Sequence, residues 1–338
     1  MNYYGEMRII MTSQKSSDYK KVNKESKDVL EDYTLELRAR GLSDQTIYQY
    51  VSDIKYFYIY AMKNFDDKFI LDLKRKDFRR FFLDMQSRDL STARINRMQS
   101  SLRNLLEYCE MDDDDYEYYT RNQMKGIKSL AQVDTREIFF LTDEQITYLI
   151  IYYLKKKDYQ RALYISLSYD SACRRGEISQ VEKHSFMEKD SNSTNLLRGK
   201  GNKHFRLFYM ERTRAIAEKY LEERGEDDID ELFISTYGGS KSPLHYKRFY
   251  DWTVQFRKVL KEAYGDDINI NPHSFRHSAI ENYYNGSHIN LQKMKRDALS
   301  LDEVRVIANH EDISTTRGYM KDRDEEIVTN LFSISWPG

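Results

Sequence analysis

Apolar side chains recur every three to four residues along most of the chain, and this helical period is the feature that most restricts its fold. The segment from Ser26 to Gly41 is typical, because its apolar residues fall on one helical face and it ends at a glycine: Val29, Leu30, Tyr33 and Leu37. Only 3 Pro and 13 Gly occur in 338 residues, too few for a turn-rich all-β protein. The pattern therefore predicts a mostly α-helical fold.

The first third of the chain is predicted to form one helical domain. After the first segment, further amphipathic stretches begin near Ser43, Lys76 and Ser91. Several short helices that each carry one apolar face bury those faces against one another as a bundle. We place this domain at residues 26–109.

Two stretches around this domain lack the helical period. Residues 1–25 are polar and unpatterned, which predicts disorder or a flexible arm. Residues 110–140 contain an aspartate run at 112–115 and little periodicity, and we interpret them as a linker.

A second domain is predicted for residues 141–338. Thr142 and Gln145 form a capping box that begins a helix, and more helical segments follow, one of them over about residues 290–299. The period changes in NLLRGKGNKHFRLFYM (195–210), which is typical of a β-hairpin with a glycine-containing turn. The predicted fold class is thus mostly α with a small β-sheet (α+β).

Charge and cysteine content exclude several classes of protein. The net charge is -1, so composition alone does not indicate a nucleic-acid partner. No apolar run is long enough to span a membrane, and the N-terminal residues show no signal-peptide pattern. Cys109 and Cys173 are isolated, which disfavours a disulfide framework or a structural zinc site. We expect a reducing, cytoplasmic location and no membrane partner.

Cationic, imidazole and phenol side chains in the second domain are suited to binding and processing an anion. They lie near the beginnings and turns of predicted elements: Arg174, Arg175, Lys200, Lys203, His273, Arg276, His310 and Tyr319. His273 and Arg276 share a helical face directly after Pro272, where free N–H groups and the helix dipole favour an anion. Arginine binds phosphate oxygens bidentately, and lysine or histidine transfers protons. A phosphate diester fits this set.

Several common chemistries lack their motifs. The second domain contains no Walker A loop, no GxGxxG, no HExxH and no carboxylate pair among these elements. Nucleotide hydrolysis, dinucleotide redox chemistry, zinc proteolysis and two-metal nuclease chemistry are therefore disfavoured. We expect neither a metal nor a cofactor.

Each of these signals also has an ordinary structural interpretation. Arg174 beside Glu177 is more often an ion pair than a phosphate ligand. The GKGNK turn is equally typical of a polar hairpin tip, and an HxxR pair in a helix occurs by chance. One tyrosine among 28 carries little information by itself.

Order and spacing together resemble the tyrosine recombinase, or phage integrase, family. The segments are SACRRGEISQV (171–181), RGKGNKHFRLFYM (198–210), NPHSFRHSAI (271–280) and ANHEDISTTRGYMK (308–321), with nine residues from His310 to Tyr319. GLSDQTIYQYVSDIKYF (41–57) and LSTARINRMQSSLRNLLEY (90–108) are similar to the family's core-binding domain. The resemblance covers about residues 26–325.

The resemblance implies a role for each matching residue. Arg174 and Arg276 would bind the scissile phosphate, and Glu177 would support the arginine. Lys200 would protonate the leaving 5′-hydroxyl, with Lys203 as the less favoured candidate. His273 would handle the proton of the nucleophile. His310 would hydrogen-bond the phosphate, and Tyr319 would attack it.

The resemblance also implies contacts with double-stranded DNA outside the catalytic set. The candidates lie in the helical domain, the linker and the hairpin: Ser43, Gln45, Thr46, Arg94, Asn96, Arg97, Arg103, Lys125, Lys128 and Lys203. For any one of them, a solvated helix face is an equally good interpretation.

Three departures from the family pattern keep a second hypothesis open. SAC stands before Arg174 where the family has T-G-x, and ANH stands where it has L-G-H. The 34 residues from Arg276 to His310 exceed the family's spacing, and the excess falls in 290–303.

The favoured hypothesis is a site-specific recombinase that integrates, excises or resolves DNA for a phage or mobile element, and works as a tetramer across two duplexes. The alternative is a DNA-binding protein of the same fold, such as a phage repressor, that acts as a dimer or monomer and has lost recombination activity.

Overall fold

The computed structural model describes residues 17–112, 114–131, 138–188, 191–199, 203–265 and 267–320. The chain divides into two compact units, Met1–Thr135 and Arg136–Gly338. In the described residues, helices predominate and the strands form two antiparallel two-stranded sheets, which confirms the predicted fold class. None of the described helices is long and apolar enough to cross a membrane.

The first unit is a helical bundle whose main helices are α1 (Lys24–Ala39), α2 (Asp44–Asn64), α3 (Arg75–Ser87) and α4 (Thr92–Met111). Side chains of Asn23, Ser43 and Ser91 accept hydrogen bonds from the first turns of α1, α2 and α4. The apolar faces meet in an aromatic core, where Phe57 stacks on Phe78 with 5.1 Å between ring centroids. The predicted bundle of amphipathic helices is present.

Part of the stretch interpreted as a linker packs against this bundle. Tyr116, Tyr119, Met124 and Ile127 are buried in the core of the first unit. Their burial needs partners that are distant in sequence, so a local search for periodicity does not detect it. Leu130 also packs against this core, so the prediction of a linker between the units narrows to residues 131–140, of which 132–137 lie outside the described residues.

The predicted N-terminal arm also differs from the structure where it is described. Residues 1–16 lie outside the described residues. Val22 is buried in the bundle core, and the Asn23 amide donates to the carbonyl oxygen of Asp67 at 2.8 Å. Residues 22–25 thus belong to the folded unit, because one apolar side chain and one cap anchor them.

All predicted catalytic residues belong to the second unit. In chain order, the main elements of this unit are α5 (Asp143–Lys155), α6 (Tyr159–Ser171), α7 (Arg175–Ile178), β1 (Leu197–Arg198), β2 (His204–Phe205), α8 (Glu211–Arg224), β3 (Ile234–Tyr237), β4 (Ser240–Pro243), α9 (Arg248–Tyr264), α10 (Pro272–Tyr284), α11 (Ile289–Met294), α12 (Leu301–Ile307) and α13 (Ile313–Arg317). Helix α6 is central, since every residue from 162 to 171 is buried.

Two hairpins interrupt the helices of this unit. The predicted hairpin is present as β1 and β2, with Leu197 paired to Phe205, and its tip at 200–202 lies outside the described residues. A second hairpin, β3–β4, was not predicted. Its turn is the Gly238–Gly239 pair, both with positive φ, which is the backbone that a two-residue hairpin turn requires.

The apparent insertion at 290–303 is part of the folded unit. Asn290 donates to the Asp170 carboxylate at 3.0 Å, and Leu291 and Leu299 are buried. The helix predicted over 290–299 ends at Met294, because Lys295 adopts a left-handed conformation. The additional residues are anchored on α6 and the end of α10.

Candidate active site

Arg276 lies at the centre of the candidate site and is completely buried. Pro272 occupies the first turn of α10, and the Asn271 side chain accepts from the amide N–H of His273, so the helix begins with fixed geometry. The Arg276 guanidinium donates from Nη1 to the Ala172 carbonyl at 2.5 Å and from Nη2 to the Ala308 carbonyl at 2.7 Å. The residues that directly follow α6 and α12 thus orient the Arg276 side chain.

Both carbonyl acceptors belong to segments that depart from the family pattern. Ala172 has φ 50°, and Asn309, directly after Ala308, has φ 52°. Left-handed backbone is the conformation that glycine adopts most easily, and asparagine tolerates it well. Ala172 and Asn309 stand where the family pattern has glycine, and they keep the left-handed backbone that glycine would adopt there.

His310 contacts Arg276 directly. Its Nε2 lies within hydrogen-bond distance of Arg276 Nη2, and its Nδ1 lies 3.0 Å from Thr316 Oγ1. Burial, followed by the positive charges of Arg276 and Arg174, lowers the pKa of His310 to about 3. The imidazole is therefore neutral near pH 7.

Arg174 and Glu177 form the pair that the sequence suggested. Glu177 is buried and accepts from the Arg174 amide N–H at 2.6 Å and from Arg174 Nη1 at 2.8 Å. The Arg174 side chain keeps 27% of its surface exposed. It lines a cleft of about 290 Å³ together with Gly199, Lys203 and His310. The pairing with Glu177 orients the arginine toward this cleft.

His273 lies near the same positive charges. Desolvation, then the charges of His277, Arg276, Arg175 and Arg174, lower the pKa of His273. A neutral imidazole is able to accept a proton.

Tyr319 packs its ring against three of these groups. The ring lies 4.4 Å from the His277 ring and 5.0 Å from the His310 ring, and the Arg276 guanidinium carbon lies 5.0 Å from its centroid. His277 Nδ1 donates to the Tyr319 carbonyl oxygen at 3.1 Å, because a carbonyl oxygen only accepts. The predicted nucleophile therefore lies beside the predicted phosphate ligand.

The structure brings four of the six predicted catalytic residues together, places His273 where the charges of Arg174 and Arg276 lower its pKa, and leaves Lys200 undescribed. Arg276, His310 and Tyr319 are in mutual contact, and Arg174 shares the cleft with His310. Lys200 lies outside the described residues, although the flanking residues Gly199 and Lys203 both line that cleft. The role of each residue stays a prediction.

Sequence reasoning missed two side chains of this site. His277 stacks on Tyr319, and Thr316 contacts His310. His277 lies directly after Arg276 in the NPHSFRHSAI segment that carries the resemblance, which is a signal that would have found it. Thr316 carries no comparable signal, because its role depends on which ring nitrogen of His310 it faces.

Several predicted DNA-contacting residues of the first unit have partners within that unit, and their role toward DNA stays a prediction. Arg97 donates through Nε and Nη2 to the buried Asp53 carboxylate, each at 2.9 Å. The Asn96 amide and the Leu130 main chain exchange two hydrogen bonds, and Arg103 donates to the Ile127 carbonyl at 3.0 Å. These side chains fasten the 122–130 stretch and the α2–α4 contact.

The remaining candidates differ in their exposure and contacts. Lys125 pairs with Glu110, Ser43 caps α2 beside Thr46, and Arg94 packs over the Tyr56 ring. Gln45, Lys128 and Lys203 are exposed. Among the residues described, no group of three or more His, Cys, Asp or Glu is placed to hold a metal ion.

Comparison with known proteins supports the resemblance to the phage integrase family. The model of the phage integrase family matches residues 140–326, and that of the phage integrase N-terminal SAM-like domain matches residues 30–111. The chain is 25% identical over 333 residues to the SPbeta prophage-derived recombinase-like protein YomM of Bacillus subtilis, covering 94% of this chain and 93% of that protein. It is 27% identical over 297 residues to a tyrosine recombinase of Pseudothermotoga lettingae, covering 86% and 92%.

Solved structures show the same fold. A lambda integrase dimer bound to a COC' core site superposes with a TM-score of 0.65 at 14% identity, covering 97% of this chain and 83% of that chain. XerH site-specific recombinase bound to a palindromic difH substrate gives a TM-score of 0.64 at 20% identity, covering 90% and 83%. The two-unit architecture is thus shared with these proteins.

Proposed function

The chain belongs to the phage integrase family and is a tyrosine recombinase, and we propose that Tyr319 is its nucleophile in the cutting and rejoining of double-stranded DNA. The observation that carries this proposal is the packing of the Tyr319 ring against Arg276 and His310. A phosphate held by that arginine lies within reach of the phenol oxygen after a local movement.

The proposed step is a transesterification that needs no metal or cofactor. The Tyr319 phenol oxygen forms a bond to the scissile phosphorus, and the bond from phosphorus to the 5′-oxygen breaks. The phenol proton passes to a base, and an acid protonates the leaving 5′-hydroxyl. The 3′-phosphotyrosyl product is still a phosphodiester, because the new bond to the Tyr319 oxygen replaces the broken bond to the 5′-oxygen. The reverse attack by a 5′-hydroxyl therefore rejoins a strand without an external energy source.

Arg174 and Arg276 are the proposed electrostatic stabilisers. Two guanidinium groups offset the charge that develops on the pentacoordinate phosphorane. They stabilise this transition state most when they are oriented before the reaction. Glu177 orients the first, and the Ala172 and Ala308 carbonyls orient the second.

Lys200 and His273 are the proposed proton-transfer groups. The lowered pKa of His273 supports a role as base toward the phenol proton. Lys200 is assigned as acid from the resemblance alone, with Lys203 as the second candidate at the cleft.

His310, for which the resemblance implies a hydrogen bond to the phosphate, also has contacts within the protein. Both ring nitrogens have protein partners, Arg276 and Thr316. In this arrangement His310 orients Arg276. His310 forms a hydrogen bond to the phosphate through Nε2 only after Arg276 Nη2 moves away from that nitrogen. We propose the orienting role for the resting site.

Binding of a phosphate to Arg276 requires movement of the segment that carries Tyr319. Arg276 has no exposed surface, and the Tyr319 ring lies over its guanidinium. A phosphate oxygen therefore reaches Arg276 only when Tyr319 moves from this position. We propose that DNA binding and the placement of the nucleophile are coupled in this way.

The partner is proposed to be double-stranded DNA, and the active assembly a tetramer. The solved relatives include a lambda integrase tetramer bound to a Holliday junction. We retain the cytoplasm as the proposed location. The repressor alternative receives no support from the matched family or the named relatives.

Cleavage of a nicked duplex tests this function. The duplex carries the DNA that flanks the chain's own gene, with a nick placed so that a cut releases a short fragment and prevents rejoining. The proposal predicts a protein–DNA adduct that survives denaturing electrophoresis. Specific binding without any adduct, with partner proteins supplied, would favour the repressor alternative.

A further inference from the structure

The protonation of His310 follows from its two partners. An arginine guanidinium has only N–H donors, so Nε2, which faces Arg276 Nη2, accepts. The pKa of about 3 leaves the ring with one proton near neutral pH. That proton is therefore on Nδ1, which faces the hydroxyl of Thr316.

The Thr316 hydroxyl is well placed to accept a hydrogen bond from this N–H group. It is completely buried in α13, and its Oγ1 lies 3.0 Å from His310 Nδ1. The main chain of His310 is fixed as well, since its amide N–H donates to the Arg305 carbonyl and its own carbonyl accepts from Arg305 Nη1. With the backbone held, the ring meets Arg276 on one side and Thr316 on the other.

We propose that Thr316 is a positioning residue that holds His310 in the Nδ1-protonated form, so that the Nε2 lone pair stays directed at Arg276. This inference rests on the proposed roles of Arg276 and Tyr319. If Nε2 carried the proton instead, two donors would face each other at the centre of the site. Arg276 would then lose one of the contacts that orient it toward the phosphate.

Two substitutions separate this role from simple packing. Thr316→Val keeps the shape of the side chain and removes the acceptor, whereas Thr316→Ser keeps the hydroxyl and removes the methyl group. Thr253→Val is the matched control, because Thr253 is also completely buried in a helix of the second unit and its hydroxyl donates to the main chain of its own helix. A packing role predicts the opposite order, in which serine, which lacks the buried methyl group, is more damaging than valine, which keeps the shape.

The first measurement is the ring tautomer itself. In full-length protein labelled with ¹⁵N-histidine, the His310 signals are assigned by their loss in His310→Gln. The proposal predicts protonated Nδ1 and unprotonated Nε2 between pH 6 and 8, as expected for a neutral imidazole. In Thr316→Val the population shifts toward the Nε2-protonated form, whereas Thr316→Ser keeps the wild-type pattern. A wild-type ring protonated on Nε2, or an unchanged tautomer in Thr316→Val, would overturn the proposal.

The second measurement is single-turnover adduct formation on the nicked duplex. We expect Thr316→Val to lower the rate by about 10- to 100-fold, the usual effect of removing the group that orients a functional histidine. DNA affinity, the rate of Thr316→Ser and the rate of Thr253→Val should stay near wild type. Equal rates for Thr316→Val and wild type would contradict the inference. If wild type forms no adduct, the proposed function fails, and the tautomer measurement still decides the role of Thr316.

Discussion

The Arg276 guanidinium donates a 2.5 Å hydrogen bond to the main-chain carbonyl of Ala172, which stands 104 residues earlier in the chain. The direction of that carbonyl depends on the left-handed conformation of Ala172, with φ 50°, at the end of α6. A strained backbone position thus contributes to the orientation of the buried arginine. This relationship links a departure from the family motif to the proposed chemistry.

Substitutions of Ala172 test that link. A left-handed alanine carries about 1 kcal/mol of strain, which glycine relieves, while glycine loses a buried methyl group and adds unfolded-state entropy. We expect Ala172→Gly to change the free energy of unfolding by less than about 1 kcal/mol and to retain strand cleavage. Ala172→Val should destabilise by about 2 kcal/mol or more. Urea unfolding provides the measurement, and equal stabilities of the two variants would contradict this account.

Arg276→Lys tests the phosphate-binding role more cleanly than alanine does. Lysine keeps the positive charge but does not reproduce the planar donor geometry that reaches two carbonyls and His310. We expect cleavage of the nicked duplex to fall by at least about 100-fold, with DNA affinity within a few-fold of wild type, because many other contacts share the backbone charge. Circular dichroism checks that the variant is folded. A parallel loss of affinity and cleavage would identify Arg276 as an ordinary folding or binding residue.

The lowered pKa of His310 predicts a pH-dependent stability. Between about pH 3 and 6.5, the unfolded chain binds a proton at this position that the folded chain does not bind. The free energy of unfolding therefore decreases as pH falls through this window, with a contribution from His310 of about 1.4 kcal/mol per pH unit. His310→Gln should reduce the slope between pH 5 and 6 by that amount. Identical slopes for the two proteins would show that His310 is not buried as a neutral ring.

The extent of the linker is tested by limited proteolysis. The stretch through Leu130 packs in the first unit and is held by Asn96, so the first cuts should fall between 131 and 140. Two stable fragments should remain, and specific DNA should slow the cleavage if both units bind it. Mass spectrometry of the early fragments locates the cuts. An initial cut inside residues 145–285 would contradict the division into two units.

Local patterns predicted the elements that depend on local forces. The apolar face and the Ser91 cap determine where α4 begins, and both are visible in the sequence. The 290–299 helix was predicted too long because periodicity does not reveal the left-handed Lys295 at which it ends. Gly238 and Gly239 are a visible signal for the β3–β4 hairpin turn, which was not predicted.

Long-range partners account for what the sequence did not provide. The Arg97 guanidinium is suited to DNA phosphates, yet it pairs with Asp53, 44 residues earlier. The motif match identified Arg276 and Tyr319, but it did not reveal that the ring of one covers the guanidinium of the other. Such pairings depend on how distant segments meet.

The most direct test of the central claim is the identity of the residue that becomes linked to DNA. Wild type and Tyr319→Phe are incubated with the nicked duplex, and the DNA-linked peptide is mapped by mass spectrometry. Phenylalanine keeps the ring that packs against His277 and Arg276 and removes only the attacking oxygen. This account predicts a wild-type adduct at Tyr319, no adduct in Tyr319→Phe, and similar DNA affinity for both. An adduct that persists in Tyr319→Phe, or that maps to another of the 28 tyrosines, would contradict it.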